Sequence, residues 1–234
     1  MGFEQLKKQK YINMIFIVAT PIGNLRDITL RALDVLKDVD FIISEDTRET
    51  IKLLNNFQIC KPLLSYYKGC EKRKSEEIIS LLKTGKNAAL VCDRGTPGIS
   101  DPAHYLVRRC FEEGVDVVPV PGPSSLTAAI SVSGFPVDCF SFYGFLPKNK
   151  KKKLEFFKMI ENRKEILIFF ESVHRFDETL EIMNQIFPER RLVVCRELTK
   201  KFEEIVAGSV SQLYNKFIKT EVKGEFVIVL GGKQ

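Results

Sequence analysis

Short apolar runs of strand length recur along this chain and alternate with segments of helical periodicity, which restricts the fold to the α/β class. The runs are Met14 to Ala19, Phe41 to Ile43, Ala88 to Cys92, Val115 to Val120, Phe140 to Phe145, Ile166 to Phe170, Leu192 to Cys195 and Phe226 to Leu230. Between them, Leu30, Leu33 and Leu36 keep near-helical spacing, as do Leu180, Met183 and Phe187, and Leu154 to Ile160 reads as a further helix. A length of 234 residues fits one large core or two modest ones. The best place to divide it is Val120-Pro-Gly-Pro-Ser-Ser125, where two prolines and a glycine follow a strand and precede a helix. That predicts a polar N-terminal extension over 1–13, an N-terminal α/β domain over 14–121 and a C-terminal α/β domain over 122–234. Pro123 suits a first helical turn and Ser124 or Ser125 would cap it, so the segment reads equally as hinge, ligand contact or plain cap.

Composition removes several classes of function. The six cysteines, at 60, 70, 92, 110, 139 and 195, form no CxxC pair, and the chain has two histidines, so no metal site is expected. Cys92 and Cys195 follow apolar runs, where a buried free thiol is the default, and that usage suits a reducing, cytoplasmic setting. No apolar run reaches membrane-spanning length and the first residues lack the apolar centre of a secretory signal, so no membrane association is expected. The net charge of +6 is local: five lysines crowd into 148–153, residues 1–10 add three more against Glu4, and the remainder is close to neutral. The block Lys148, Lys150, Lys151, Lys152 and Lys153 reads as a loop between strand and helix. It is either a solvated surface or a patch that meets phosphates.

Polar residues gather where strands end, which is where open α/β sheets bind ligands. The most conspicuous group is Asp93-Arg-Gly-Thr-Pro-Gly-Ile-Ser-Asp-Pro102, a run of turn formers behind one strand and ahead of a helix. After the first strand comes Thr20-Pro-Ile-Gly-Asn24, followed by Asp27, which either caps the helix, the preferred reading, or faces the cleft; the segment contains neither GxGxxG nor GxxxxGK[ST], so dinucleotide and P-loop sites are unsupported. After the second comes Ser44-Glu-Asp-Thr-Arg48, in which Asp46 either caps a helix or acts on a proton while orienting Arg48. Glu171-Ser-Val-His-Arg175 follows a buried strand, and His174 and Glu171 are residue types able to shuttle a proton. A serine hydrolase is disfavoured because no GxSxG elbow is present.

These blocks, with Val18 to Thr29, Pro121 to Ser125 and Phe170 to Arg175, closely resemble the ribosomal RNA small subunit methyltransferase I family of the tetrapyrrole methylase-like superfamily, from about Ile15 to the end. The resemblance implies two α/β domains of the tetrapyrrole methylase type with the cofactor, S-adenosyl-L-methionine, in the interdomain cleft, and usually a homodimer. It implies methyl transfer to the ribose 2′-oxygen of a cytidine in the decoding region of small-subunit ribosomal RNA, with the small subunit or its RNA as partner. By motif matching, Asp93, Gly95, Thr96, Ser124, Ser125, Phe170, Leu198 and Thr199 would contact the cofactor. Pro21, Gly23, Glu45 and Arg48 would shape the active cleft. A ribose hydroxyl must lose its proton as the new bond forms, and Glu171, Asp46 and His174 are the acceptors to consider, in that order. The lysine block, with Lys200 and Lys201, would meet RNA phosphates.

Two other readings compete. A tetrapyrrole methylase would need a large apolar cleft with few external lysines, which the lysine block disfavours. A non-catalytic RNA-binding factor would have no need for polar residues at every strand end. The segment Phe135 to Phe140 is apolar enough to be either core or interface.

Overall fold

The computed structural model describes residues 13–218 and 223–233, so residues 1–12 of the expected extension, with their lysines, lie outside the described residues. The chain divides into two compact units, the first ending at Pro123 and the second starting at Ser124.

The first unit is a parallel sheet built from β1 (Met14–Val18), β2 (Phe41–Ser44), β3 (Leu63–Ser65), β4 (Ala88–Leu90) and β5 (Asp116–Val120), in the order β3-β2-β4-β1-β5. Side chains alternate across each strand, so β1 sends Ile15 to one face and Phe16 and Val18 to the other. Ile15 joins Ile43, Leu90, Ile78, Leu82 and Leu106, a core shared with α3 (Glu71–Lys83) and α4 (Ala103–Glu112). Phe16 and Val18 join Ile42, Ala32, Leu36 and Leu54, against α1 (Leu30–Asp38) and α2 (Thr47–Asn56). A sheet buried on both faces needs continuous apolar strands, which is why β2 is buried at all its positions. Parallel pairing also places every strand's carboxyl end on one edge.

The second unit holds β6 (Phe140–Phe145), β7 (Ile166–Ser172), β8 (Arg191–Arg196), β9 (Glu204–Ser209) and β10 (Glu225–Leu230), in the order β6-β7-β10-β8-β9. Only β6 and β7 pair in parallel; the other three pairings are antiparallel. Leu167, Phe169, Leu192, Val194, Phe226 and Ile228 face a core completed by α6 (Lys150–Met159), α7 (Val173–Ile186) and α8 (Val210–Phe217). Its aromatic centre is Phe176 stacked on Phe226 at 3.9 Å. On the other face α5 (Ser125–Val132) packs against β10.

Several expectations change. Strands β3 and β9 were not apparent in the sequence, because β3 has three residues and β9 carries only the short apolar run Ile205-Val206-Ala207, its positions alternating between half-buried and exposed. Most of the lysine block is no loop: Lys148 lies in the bend before α6, but Lys150 to Lys153 form its first turn, capped by Asn149, whose side chain accepts from the Lys152 N–H. Asp27 caps nothing, since Asn24 caps the short 3-10 turn Leu25–Asp27 and Thr29 caps α1. Phe135 to Phe140 is not core: Phe140 and Val137 are exposed, on and beside the edge strand β6.

Candidate active site

Four loops leave the carboxyl edge of the first sheet, and backbone hydrogen bonds stitch them together. Thr20, after β1, and Gly95, after β4, exchange N–H···O bonds of 2.8 and 3.0 Å, and the Thr20 hydroxyl donates to the Cys92 carbonyl at 3.1 Å. The Asp46 N–H, after β2, donates to Asp93 Oδ1 at 3.1 Å. The Thr96 hydroxyl donates to the carbonyl of Pro123, after β5, at 3.1 Å. Gly95 has φ +83°, and a Cβ there would stand 3.3 Å from Ile22 Cγ2, so the residue type is imposed by both conformation and space. Asp101 fixes the far side of the loop, its two oxygens accepting from the Gly98 N–H and one also from the Ala103 N–H. This clamp was not recognised in the sequence, where Asp101 reads only as another turn residue. Pro21 is buried beneath the loop and Gly23 is exposed.

The electrostatics of this edge are divided. Glu45 and Asp93 are exposed, and both carboxyls are pushed up, first by partial desolvation and then by neighbouring carboxylates: Asp93, Asp101 and Asp46 act on Glu45, and Asp46 and Glu49 on Asp93. Asp46 goes the other way, to about 2, because Arg48 donates to it from both its side chain and its backbone. Asp46 is therefore the N-cap of α2 and the anchor of Arg48. As a proton acceptor it is poor, since a carboxylate this acidic has little affinity for a proton at neutral pH.

In the second unit, Phe170 stands on β7 with the rings of Phe142 and Phe145 edge-on to it at 4.8 and 5.6 Å. Its neighbour Glu171 points to the opposite face and is 1% exposed. One oxygen accepts from the Ser172 N–H (2.8 Å) and pairs with Arg175 (2.8 Å); the other accepts from the Thr179 hydroxyl (2.7 Å) and lies 3.7 Å from Lys153 Nζ. Both oxygens are thus committed to protein donors and neither is turned to a substrate proton, which corrects the placing of Glu171 first among the acceptors. Lys153 is corrected as well. It is fully buried, donating to Glu178 and to Thr179, so it reaches no phosphate. Lys148, Lys151 and Lys152 are exposed, and Lys150 is exposed but paired with Glu181 at 2.9 Å. His174, in the first turn of α7, is exposed, and its ring has no hydrogen-bond partner among the described residues.

Ser124 is the N-cap of α5 without a side-chain cap bond, so its hydroxyl is not consumed by the helix, and Ser125 begins the first turn. After β8 the chain turns through Glu197 (φ +50°), Leu198 and Thr199 (φ +66°). A β-branched residue in the left-handed region costs about 1–3 kcal/mol and persists only where its surroundings enforce it. The Thr199 hydroxyl oxygen is buried and finds no partner among the described residues; Ser44 Oγ, at the end of β2, shares that property. Buried polar atoms are normally satisfied, so an orphan at a strained turn suits a site completed by a bound group. Neither Glu197 nor the glycine beside it, Gly224, was legible as part of a site.

Two α/β units, one parallel and one mixed, with polar loops at strand ends define the tetrapyrrole methylase class: residues 14–214 match the Tetrapyrrole (Corrin/Porphyrin) Methylases family. A diphthine synthase structure superposes with TM-score 0.68 at 13% identity, covering 93% of this chain and 90% of that one. A cobalt precorrin-4 methyltransferase does so with 0.66 at 18%, covering 97% and 98%. At such identities the likeness is one of fold. Sequence relatives are more specific. The ribosomal RNA small subunit methyltransferase I of Thermotoga maritima is 46% identical over 220 residues, 94% of this chain and 99% of its own length. The Bacillus subtilis protein of the same name is 42% identical over 221 residues, 94% of this chain and 76% of its own length. The chain belongs to the ribosomal RNA small subunit methyltransferase I family.

Proposed function

We propose that this chain transfers the methyl group of S-adenosyl-L-methionine to the ribose 2′-oxygen of a cytidine in the decoding region of small-subunit (16S) ribosomal RNA. The observation that carries the reading is the 46% identity to a ribosomal RNA small subunit methyltransferase I across nearly the whole of both chains. The chemistry is an in-line displacement: a bond forms between the 2′-oxygen and the methyl carbon, the carbon–sulfur bond breaks, and the hydroxyl proton leaves to a base. Attack consumes the positive charge on sulfur, so positioning, rather than charge stabilisation, has to supply most of the rate.

The residues present fit such a cofactor. Asp93, Gly95, Thr96, Ser124, Ser125, Phe170, Leu198 and Thr199 are the residues proposed to contact it. Exposed carboxylates at Glu45 and Asp93 favour a cation, the Ser124 hydroxyl is not used in capping, and the Thr199 hydroxyl awaits a partner. Pro21, Gly23, Glu45 and Arg48 shape the approach of the ribose. Of the three proton acceptors, Glu171 is fully engaged and Asp46 too acidic, which leaves His174, whose ring is exposed. Lys148, Lys151 and Lys152 meet RNA phosphates. Their setting supports this: lysines crowd the first turn of α6, where the helix dipole disfavours positive charge and attracts anions. The partner is the small subunit or its RNA, the enzyme acts in the cytoplasm, and it works as a homodimer.

The test incubates the protein with labelled S-adenosylmethionine and unmethylated small subunits, then maps the label by nuclease digestion and mass spectrometry. A single 2′-O-methylcytidine is expected. Label on a base, or none despite measured cofactor binding, overturns the reading. His174→Asn should then lower the methylation rate about a hundredfold with cofactor affinity unchanged; an unaltered rate assigns the proton to solvent.

A further inference from the structure

Lys200, read from sequence as an RNA contact, faces inward at the strained turn. Its ammonium donates to Glu197 Oε1 at 2.7 Å and to Glu225 Oε2 at 2.8 Å, and the side chain is 19% exposed. Glu197 Oε1 also accepts from the Glu225 N–H at 3.0 Å, and the Glu197 N–H donates to the Glu225 carbonyl at 3.0 Å. The end of β8 and the start of β10 are thereby locked together at the point where the backbone enters the left-handed region. Inside the turn, the Lys200 N–H donates to the Glu197 carbonyl, and Glu203 accepts from the Thr199 N–H. Space for this arrangement depends on Gly224: at φ +115°, a Cβ there would stand 2.4 Å from Glu197 Cγ.

We propose that Lys200, Glu197 and Gly224 are positioning residues for the cofactor: the clamp they form holds the turn Glu197–Thr199, with Glu197 and Thr199 in the left-handed region, and so presents the unpartnered Thr199 hydroxyl. The proposal rests on the reading that Thr199 contacts S-adenosylmethionine, and it adds the device that keeps Thr199 there. Without the clamp the turn relaxes to unstrained backbone, and only a fraction of molecules remains competent to bind. Apparent affinity falls by that fraction.

The experiment measures the affinity for S-adenosylhomocysteine by calorimetry for wild type, Lys200→Met, Lys200→Arg, Gly224→Ala and Thr199→Ala, with thermal unfolding and small-subunit binding recorded for each. Lys200→Met and Gly224→Ala are expected to weaken binding about tenfold, with subunit binding retained and Lys200→Arg recovering most of the loss. If Thr199→Ala weakens binding while Lys200→Met does not, the clamp is overturned and the cofactor reading stands. If Thr199→Ala has no effect, the reading beneath it fails. If Lys200→Met leaves cofactor affinity intact but weakens subunit binding and its salt dependence, Lys200 is a phosphate contact and the proposal is wrong. A loss of affinity matched by a fall in unfolding temperature and unrescued by arginine would mark a merely structural ion pair and also overturn it.

Discussion

The two units hold their candidate site residues by different means. In the first, the parallel sheet brings four loops to one edge, and backbone groups of Thr20, Asp46, Gly95 and Pro123 join them. In the second, the sheet is largely antiparallel and its strand ends point both ways, so topology alone assembles nothing. There the work falls to charged side chains, Lys153 and Arg175 around Glu171 with the Thr179 hydroxyl, and Lys200 between Glu197 and Glu225. A lattice carried mainly by backbone groups tolerates exchange of most side chains, Asp93 and Thr96 excepted, whereas a buried ionic network does not.

The comparison breaks most visibly at Glu171. Replacing it by alanine takes the carboxylate from Arg175, which keeps only Ser172 Oγ and the Leu146 carbonyl, and leaves Lys153 with Glu178 and Thr179, so Glu171→Ala should cost about 3–5 kcal/mol in urea unfolding. A cost below about 1 kcal/mol would mean that the network contributes no more than a surface pair, and the contrast between the units would fail. In the first unit the most sensitive position is expected to be a backbone one. Gly95→Ala forces a Cβ into the left-handed region and against Ile22, for about 1–2 kcal/mol, while the Thr20–Gly95 bonds remain available. Equal unfolding midpoints for wild type and Gly95→Ala would show that the loop lattice yields freely.

A third prediction uses α6 and Lys148 just before it, which present lysines in two ways. Replacing Lys148, Lys151 and Lys152 together by glutamine should lower the slope of log affinity for the small subunit against log salt by about 2, with stability unchanged. Lys153→Met should behave in reverse, changing stability by about 2 kcal/mol and the salt slope not at all. Equivalent salt effects from both would contradict the burial of Lys153.

Much of the first unit was legible in the sequence, and for a physical reason. Parallel strands buried on both faces must be continuous apolar runs, and the turn formers behind them, such as Gly95 and Pro97, punctuate the chain where ligands collect. The second unit was harder to read. Lys153 lies in a block of identical residues, and nothing in a run of lysines says which one turns inward; that is decided by helical phase against Phe157, four residues on and also fully buried. Glu171 stood out rightly as special, but its role depends on Lys153 and Thr179, 18 and 8 residues away in sequence. The Glu197–Thr199 turn is invisible without coordinates, because neither Glu nor Thr favours the conformation they adopt there.

The smallest effect sharpens the comparison inside the first unit, where Glu45 and Asp46 are adjacent yet shifted oppositely. The Glu45 carboxyl is raised by desolvation and by Asp93, Asp101 and Asp46, so the folded protein holds this proton more tightly than the unfolded chain does. Its favourable contribution is complete below the unfolded value and disappears as pH rises through the raised folded one. At neutral pH the ionised Glu45 is therefore a liability, and Glu45→Gln should stabilise by a few tenths of a kcal/mol, a small figure because the group is exposed and screened. The gain should vanish toward pH 3–4, where the wild-type side chain is protonated. Asp46, lowered to about 2 by Arg48, contributes stability above the ordinary aspartate value and loses it only as pH falls through the depressed one. Asp46→Asn should accordingly destabilise at neutral pH, with its deficit shrinking in strong acid. Thermal unfolding of both variants from pH 7 to pH 3 reads the two signs directly. A destabilising Glu45→Gln at pH 7 would mean that Glu45 has an attractive partner instead of a ring of carboxylates, and the cation-favouring edge proposed for the cofactor would lose its electrostatic basis.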